Sequence, residues 1–131
     1  MSADFLDSNV VLYLAWTDEQ KALTVEDLLR GKPLISAQVL NEVTNVLLRK
    51  RRLDWAVING FVDGLLSVTT VLPIGEPTNR NARTLAARYG FAWYDAVIIA
   101  SALEGNCTRL FSEDMQHGQQ VGELTIVNPF H

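Results

Sequence analysis

The chain predicts an α/β fold, a three-layer α/β/α sandwich around a mainly parallel sheet of four to five strands, and three observations lead there. Short aliphatic or β-branched runs recur at Asp4 to Leu6, Leu34 to Ser36, Val68 to Leu72, Thr108 into Asp114, and Leu124 to Val127. They are too short for helices and are bounded by turn or polar residues. Between them lie longer segments whose apolar side chains fall at helical spacing. Such alternation pairs strands in parallel through right-handed crossovers and covers both faces of the sheet.

Asp4-Phe5-Leu6 reads as the first strand. It reaches a carboxylate at Asp7, and a helix over about Val10 to Trp16 follows. Asp7 therefore stands in the crevice beyond the carboxyl end of a strand, where open α/β sheets place ligands. Asp7, Ser8 and Asn9 are also all able to cap that helix. If Asp7 does chemistry, capping falls to Ser8 or Asn9. Thr17 and Gln20 form a capping box for a helix carrying Ala22, Val25, Leu28 and Leu29, which Gly31 and Lys32-Pro33 end.

After the short strand Leu34-Ile35-Ser36, a helix runs from Ala37 to Arg49. Val39, Leu40, Val43, Val46 and Leu47 form its apolar face, and Gln38, Glu42, Asn45 and Arg49 form a polar stripe on its flank. The closing Arg49-Lys50-Arg51-Arg52 complements the helix dipole. Asp54 caps a helix that buries Trp55, Ile58, Phe61, Val62 and Leu65, with Gly60 and Gly64 placed to let a neighbour approach. Glu76-Pro77 opens a helix with Ala82, Leu85, Ala86 and Tyr89 inward, and Gly90 ends it. From Ala96 to Leu103 only Ser101 is polar, so this helix belongs inside the protein, with Asp95 at its start as an N-cap.

The 131 residues are expected to form one domain, 1–131, and 48% hydrophobic content is enough for its core. No apolar run approaches the roughly 20 residues of a membrane span, and no secretory signal is evident; the expectation is a cytoplasmic protein without a membrane partner. A single cysteine, Cys107, excludes an internal disulfide and a cysteine-rich zinc site. The net charge of -4 argues against a general nucleic-acid binder. Yet if four of the 15 acids are gathered on a metal, the other 11 balance the 11 Lys and Arg.

Asp7 follows the first strand, Glu42 lies on the helix after the second, and Asp114 follows the fourth. Topology alone brings these three to one sheet edge; Asp95 has no such automatic placement. Two carboxylates about 4 Å apart repel by about 4 kcal/mol at an effective dielectric near 20. Either the acids stay apart or a cation holds them. An all-oxygen set selects Mg²⁺ or Mn²⁺ over zinc or copper, and such an ion supports hydrolysis of a phosphodiester.

Four segments carry a family resemblance: Leu6-Asp7-Ser8-Asn9-Val10, Ser36-Ala37-Gln38-Val39-Leu40-Asn41-Glu42, Tyr94-Asp95-Ala96-Val97-Ile98-Ile99-Ala100, and Ser112-Glu113-Asp114-Met115-Gln116-His117-Gly118. They resemble the four motifs of the PIN-domain nucleases, and the whole chain is similar to the VapC-type toxins of bacterial toxin–antitoxin pairs. The resemblance implies the three-layer sandwich, Mg²⁺- or Mn²⁺-dependent endoribonuclease activity restrained by a cognate VapB-like antitoxin, and a homodimer. It assigns Asp7, Glu42, Asp95 and Asp114 as the catalytic, metal-binding acids, with Asn9 and Ser112 as supporting polar residues. Glu113 gains no role from it and is expected to be solvated; His117 is expected in a loop.

Arg49, Arg51, Arg52, Arg80, Arg83 and Arg88 are candidates for contacts to an RNA backbone, against the plainer reading of solvated helix surface. Two other functions fit parts of the pattern. An aspartate-nucleophile phosphatase would use Asp7, but no second acid follows it within two residues and no Lys is near Asp114 in sequence. A non-catalytic PIN-like module that binds a protein partner would bind no metal.

Overall fold

A computed structural model describes residues 3–131. Strands β1 (Ala3–Leu6), β2 (Leu34–Ser36), β3 (Thr70–Leu72), β4 (Cys107–Phe111), β5 (Gln120–Val121) and β6 (Leu124–Val127) form one sheet in the order β3-β2-β1-β4-β6-β5. Every pairing is parallel except β5 with β6. The sheet thus has one strand more than the sequence predicts. The extra strand, β5, is a two-residue antiparallel edge hidden in a polar stretch, and Gly122 turns the hairpin with φ 60°, a position that favours glycine.

The helices are α1 (Ser8–Val11), continued by a 3-10 turn over Leu12–Ala15, then α2 (Glu19–Leu29), α3 (Ala37–Arg49), α4 (Trp55–Val68), α5 (Glu76–Tyr89) and α6 (Trp93–Glu104). From β1 the chain steps outward to β2 and β3, then returns to β4 on the other side of β1. Right-handed crossovers in that order put α2, α3 and α4 on one face and α5 with α6 on the other. Every residue of α6 from Ala96 to Ala102 is buried. Ile98, Ile99 and Ala102 join the main core with Phe5, Leu110 and Ile126, while Ala96, Val97 and Ala100 pack with Ala82 of α5. The nearly all-apolar segment is therefore sandwiched, as its composition demands.

Several local expectations change. Asp18, not Thr17, caps α2, its carboxylate accepting from the Lys21 N–H at 3.1 Å. Both residue types suit the position, and the acid one residue later takes it. The third strand shortens because α4 runs on to Val68. Thr69, just beyond it, donates its hydroxyl to the Leu65 carbonyl at 2.8 Å. Trp55 is 54% exposed rather than buried, and a Cβ on Gly60 or Gly64 would meet nothing within 4 Å, so among the described residues no neighbour uses that close approach. The N-cap of α6 is Ala92, which leaves Asp95 in the first turn.

Candidate active site

The β1–β4 register sets the site. Leu6 pairs with Phe111, so the residues that leave these strands, Asp7 and Ser112, emerge side by side. The Asp7 N–H donates to the Phe111 carbonyl at 2.9 Å, and the Ser112 hydroxyl donates to Asp7 Oδ2 at 2.9 Å. Asp7 Oδ1 accepts from the Ser8 N–H at 2.7 Å, so Asp7 is itself the N-cap of α1. The expectation that capping falls to Ser8 or Asn9 is corrected: one carboxyl group caps with one oxygen and meets β4 with the other.

Asp7 is 5% exposed. Burial pushes its carboxyl up to about 6, against the hydrogen bonds from Ser112 and the Ser8 N–H, and the Glu42 and Asp95 carboxylates push the same way as burial. Ser36 caps α3 through the Val39 N–H and ends β2, so Glu42 projects from α3 toward the same edge. The Ser8 hydroxyl lies 3.4 Å from both Asp7 Oδ1 and Glu42 Oε1. Glu42 is raised from the ordinary glutamate value by burial and by Asp95, against hydrogen bonds from Gln38 and Ser8. Asp95 is raised by burial and then by Asp114.

Asp7, Glu42 and Asp95 thus each feel at least one other acid, and the structure brings Asp7, Glu42, Asp95 and Asp114 to one region. A cleft of about 410 Å³ opens over Asp7, Glu42 and Asp114, with Tyr13, Trp16 and Lys50 in its walls. Among the described residues, no three of the His, Cys, Asp and Glu side chains already stand close enough to share an ion. The chemistry of the donor set nonetheless fits a hard dication: it is all oxygen, and burial and mutual repulsion leave three of its acids short of positive charge.

Asn9 joins the two strand ends. Its Oδ1 accepts from the Glu113 N–H at 3.1 Å, and its Nδ2 lies 3.4 Å from Asp7 Oδ2 and from Ser112 Oγ. Glu113 is not simply solvated. Its carboxylate accepts from the Tyr13 hydroxyl at 2.5 Å and from Lys21 Nζ at 2.7 Å, and Lys21 also reaches the Tyr13 oxygen at 3.1 Å. Partial burial works to raise Glu113, but Lys21 and Tyr13 outweigh it and hold the carboxyl below its ordinary value. The sequence shows no Lys near Asp114; the fold supplies Lys21 beside its neighbour.

The basic candidates separate. Arg49, Arg51 and Arg52 sit at the end of α3, where the Arg51 guanidinium lies 4.5 Å from the Trp16 ring centre and so borders the cleft. Lys50, which the sequence reading did not single out from the basic run, lines the cleft directly. Arg80 is ion-paired with Glu76, Arg83 Nε donates to Asn79 at 3.0 Å, and Arg88 lies over the Tyr89 ring. Thr78 and Asn81, early in α5, contact Glu104 at the end of α6, so the two helices are antiparallel. The stretch of α5 that carries Arg80 and Arg83 therefore lies toward the far end of α6 from Asp95, about 14 Å along the axis at 1.5 Å per residue. Those two are not brought to the acids. His117 lies outside the cleft, its Nδ1 accepting from the Asn128 N–H at 2.9 Å and its ring stacked on His131.

A family model, the PIN domain, matches residues 5–120. No curated protein sequence matches the chain. Among solved structures, VapC20 of Mycobacterium tuberculosis, a sarcin–ricin loop cleaving toxin, has a TM-score of 0.67 at 20% identity over 86% of this chain and 92% of that one. A toxin–antitoxin complex from Klebsiella pneumoniae has a TM-score of 0.70 at 20% identity, covering 98% of both chains. FitAcB from Neisseria gonorrhoeae has a TM-score of 0.71 at 20% identity, covering 98% and 99%. At these identities the likeness is one of fold, and it agrees with the family match. With the parallel sheet, the strand-end acids and a family model spanning nearly its whole length, the chain belongs to the PIN-domain family.

Proposed function

We propose that the protein is a divalent-metal-dependent endoribonuclease, the toxin of a type II toxin–antitoxin pair, acting in the cytoplasm. The observation that carries this reading is the gathering of Asp7, Glu42, Asp95 and Asp114 at the carboxyl edge of the sheet, close enough that Asp7, Glu42 and Asp95 are each raised by a neighbouring acid as well as by burial. Mg²⁺ or Mn²⁺ held by these carboxylates would activate water and offset the charge that develops on a phosphoryl oxygen. Asp7 is oriented for that task by Ser112 and the Ser8 N–H, and Asn9 ties its β1 end to the loop bearing Asp114. Asp95 or Asp114 would take the proton from the attacking water or position it. Lys50 and Arg51 border the cleft, where a polyanionic RNA backbone would pass. The solved relatives include toxin–antitoxin complexes, which supports a cognate antitoxin as partner, and a homodimer is part of the proposal.

The test is cleavage of ribosomal RNA and of a sarcin–ricin loop oligonucleotide with Mg²⁺, Mn²⁺ or EDTA. Asp7→Asn and Asp95→Asn should each lower the metal-dependent rate by about 10²-fold or more. Wild-type rates in both variants would sink the proposal. One observation favours a second reading, a non-catalytic interaction module: the acids do not already stand as a preformed metal cluster among the described residues. A Mn²⁺ titration that leaves thermal stability unchanged would select that module.

A further inference from the structure

We infer that α3 and the start of α6 form a nucleobase-binding pocket beside the acids, in which Tyr94 stacks on one RNA base and Asn41, Asn45 and Gln38 read its edge. This deepens the ribonuclease proposal and rests on it for the identity of the polymer. The pocket, about 250 Å³, is lined by Gln38, Asn41, Glu42, Asn45 and Tyr94. Glu42 also lines the acidic cleft, so the two spaces share a wall, and Tyr94 immediately precedes Asp95. A base seated here belongs to a nucleotide close to the phosphodiester that the acids address.

The lining chemistry chooses the occupant. No Lys or Arg lines the pocket, so a phosphate backbone finds no counter-charge there. Its one aromatic residue, Tyr94, is 65% exposed, and no other large apolar side chain joins it, so an apolar helix or loop finds little to bury against. What remains is an aromatic face with the Asn41 and Asn45 carboxamides, each offering donors and an acceptor to a planar heterocycle, and the Gln38 side-chain oxygen as a further acceptor, its Nε2 being engaged by the Tyr94 carbonyl and Glu42. Splayed bases of single-stranded RNA are held by this combination, stacking on aromatic rings and hydrogen-bonding along their edges. Residues 38, 41, 42 and 45 fall on one face of α3, and three of them, Gln38, Glu42 and Asn45, belong to the polar stripe of the sequence. Gln38 Nε2 lies 3.4 Å from the Tyr94 carbonyl and links the two helices beside the pocket.

Two measurements on the full chain test this. The first is a titration in EDTA with AMP, CMP, GMP and UMP, and with ribose 5-phosphate as control, read by NMR at the Tyr94 ring and the Asn41 and Asn45 side-chain amides. At least one nucleotide should shift these signals and ribose 5-phosphate should not. Tyr94→Ala should weaken that nucleotide about tenfold, and Tyr94→Phe should retain it. The second is Mn²⁺-dependent cleavage of a randomised RNA library followed by sequencing of the ends. Base preference at one position beside the cut should relax in Tyr94→Ala and in the Asn41→Ala/Asn45→Ala double variant, and persist in Tyr94→Phe.

The inference is overturned if no nucleotide acts differently from ribose 5-phosphate, or if both alanine variants keep the wild-type preference. Conversion of a dimer to a monomer by Tyr94→Ala, with preference unchanged, would assign the surface to a second copy of the chain instead. Nucleotide shifts without any wild-type cleavage would overturn the ribonuclease proposal and leave the base pocket standing.

Discussion

Two carboxylates in the walls of one cleft, Asp7 and Glu113, meet opposite fates. Asp7 is buried among other acids and its carboxyl is pushed up to about 6; Glu113 is held below its ordinary value by Lys21 and Tyr13. Both line the same cleft. A carboxylate whose charge the protein balances itself is a structural tie, and one left unbalanced is an opening for an outside cation. The contrast separates fastening from chemistry where residue type alone does not.

The largest expected effect is on the pH dependence of the metal-free protein. Asp7 has a folded pKa raised above its unfolded value of 3.8, so its contribution to stability is fully present below about pH 4 and is lost as pH rises through about 6. That difference amounts to about 3 kcal/mol. Glu113 has the opposite sign: its contribution is present above the ordinary carboxylate range and is lost as pH falls. Asp7→Asn should therefore match wild type near pH 4 in EDTA and exceed it by up to about 3 kcal/mol at pH 7, measured by urea denaturation. Equal stability of the two at pH 7 would break the contrast.

Next comes metal. Mn²⁺ at about a hundredfold above its dissociation constant should stabilise wild type by about 2.7 kcal/mol at neutral pH, and the gain should vanish in Asp7→Asn but survive in Glu113→Gln. Loss of the gain in both variants to the same extent would put Glu113 among the ligands. The smallest effect is Lys21→Met, which leaves Glu113 without its cation; the melting temperature should fall by about 2 °C. Metal-dependent cleavage should drop with it, because Glu113 directly precedes Asp114. An unchanged rate would show that the tie does not position that acid.

Much of this was legible in the sequence. Length and β-branched content mark the strands, and a strand end followed by a helix marks Asp7 and Glu42. Asp95 was more legible than the sequence reading allowed. A helix that leads into a parallel strand by a short link runs back along the sheet, so it must begin at the edge where the strands end; α6 and β4 are joined by only Gly105 and Asn106. Gly105 is itself at a close approach, since a Cβ there would meet Leu34 at 2.7 Å and Leu72 at 2.9 Å. The Lys21–Glu113 pair left no trace, because its partners are 92 residues apart and neither belongs to a periodic pattern. Arg80 and Arg83 were drawn in by charge alone, which does not say to which end of a helix pair a side chain belongs.

The pairing of β1 with β4 bears on how the protein is made. Asp7 owes its hydrogen bond from Ser112 to a residue 105 positions later, and Asn9 accepts from Glu113 across 104. Parallel contacts of such long range close late in folding, after the local helices have formed. A chain still emerging from the ribosome, or one cut short before β4, has its first acid but neither Ser112 nor Asp114. The cluster is thus a product of completed synthesis, and an unfinished copy lacks the residues that close it.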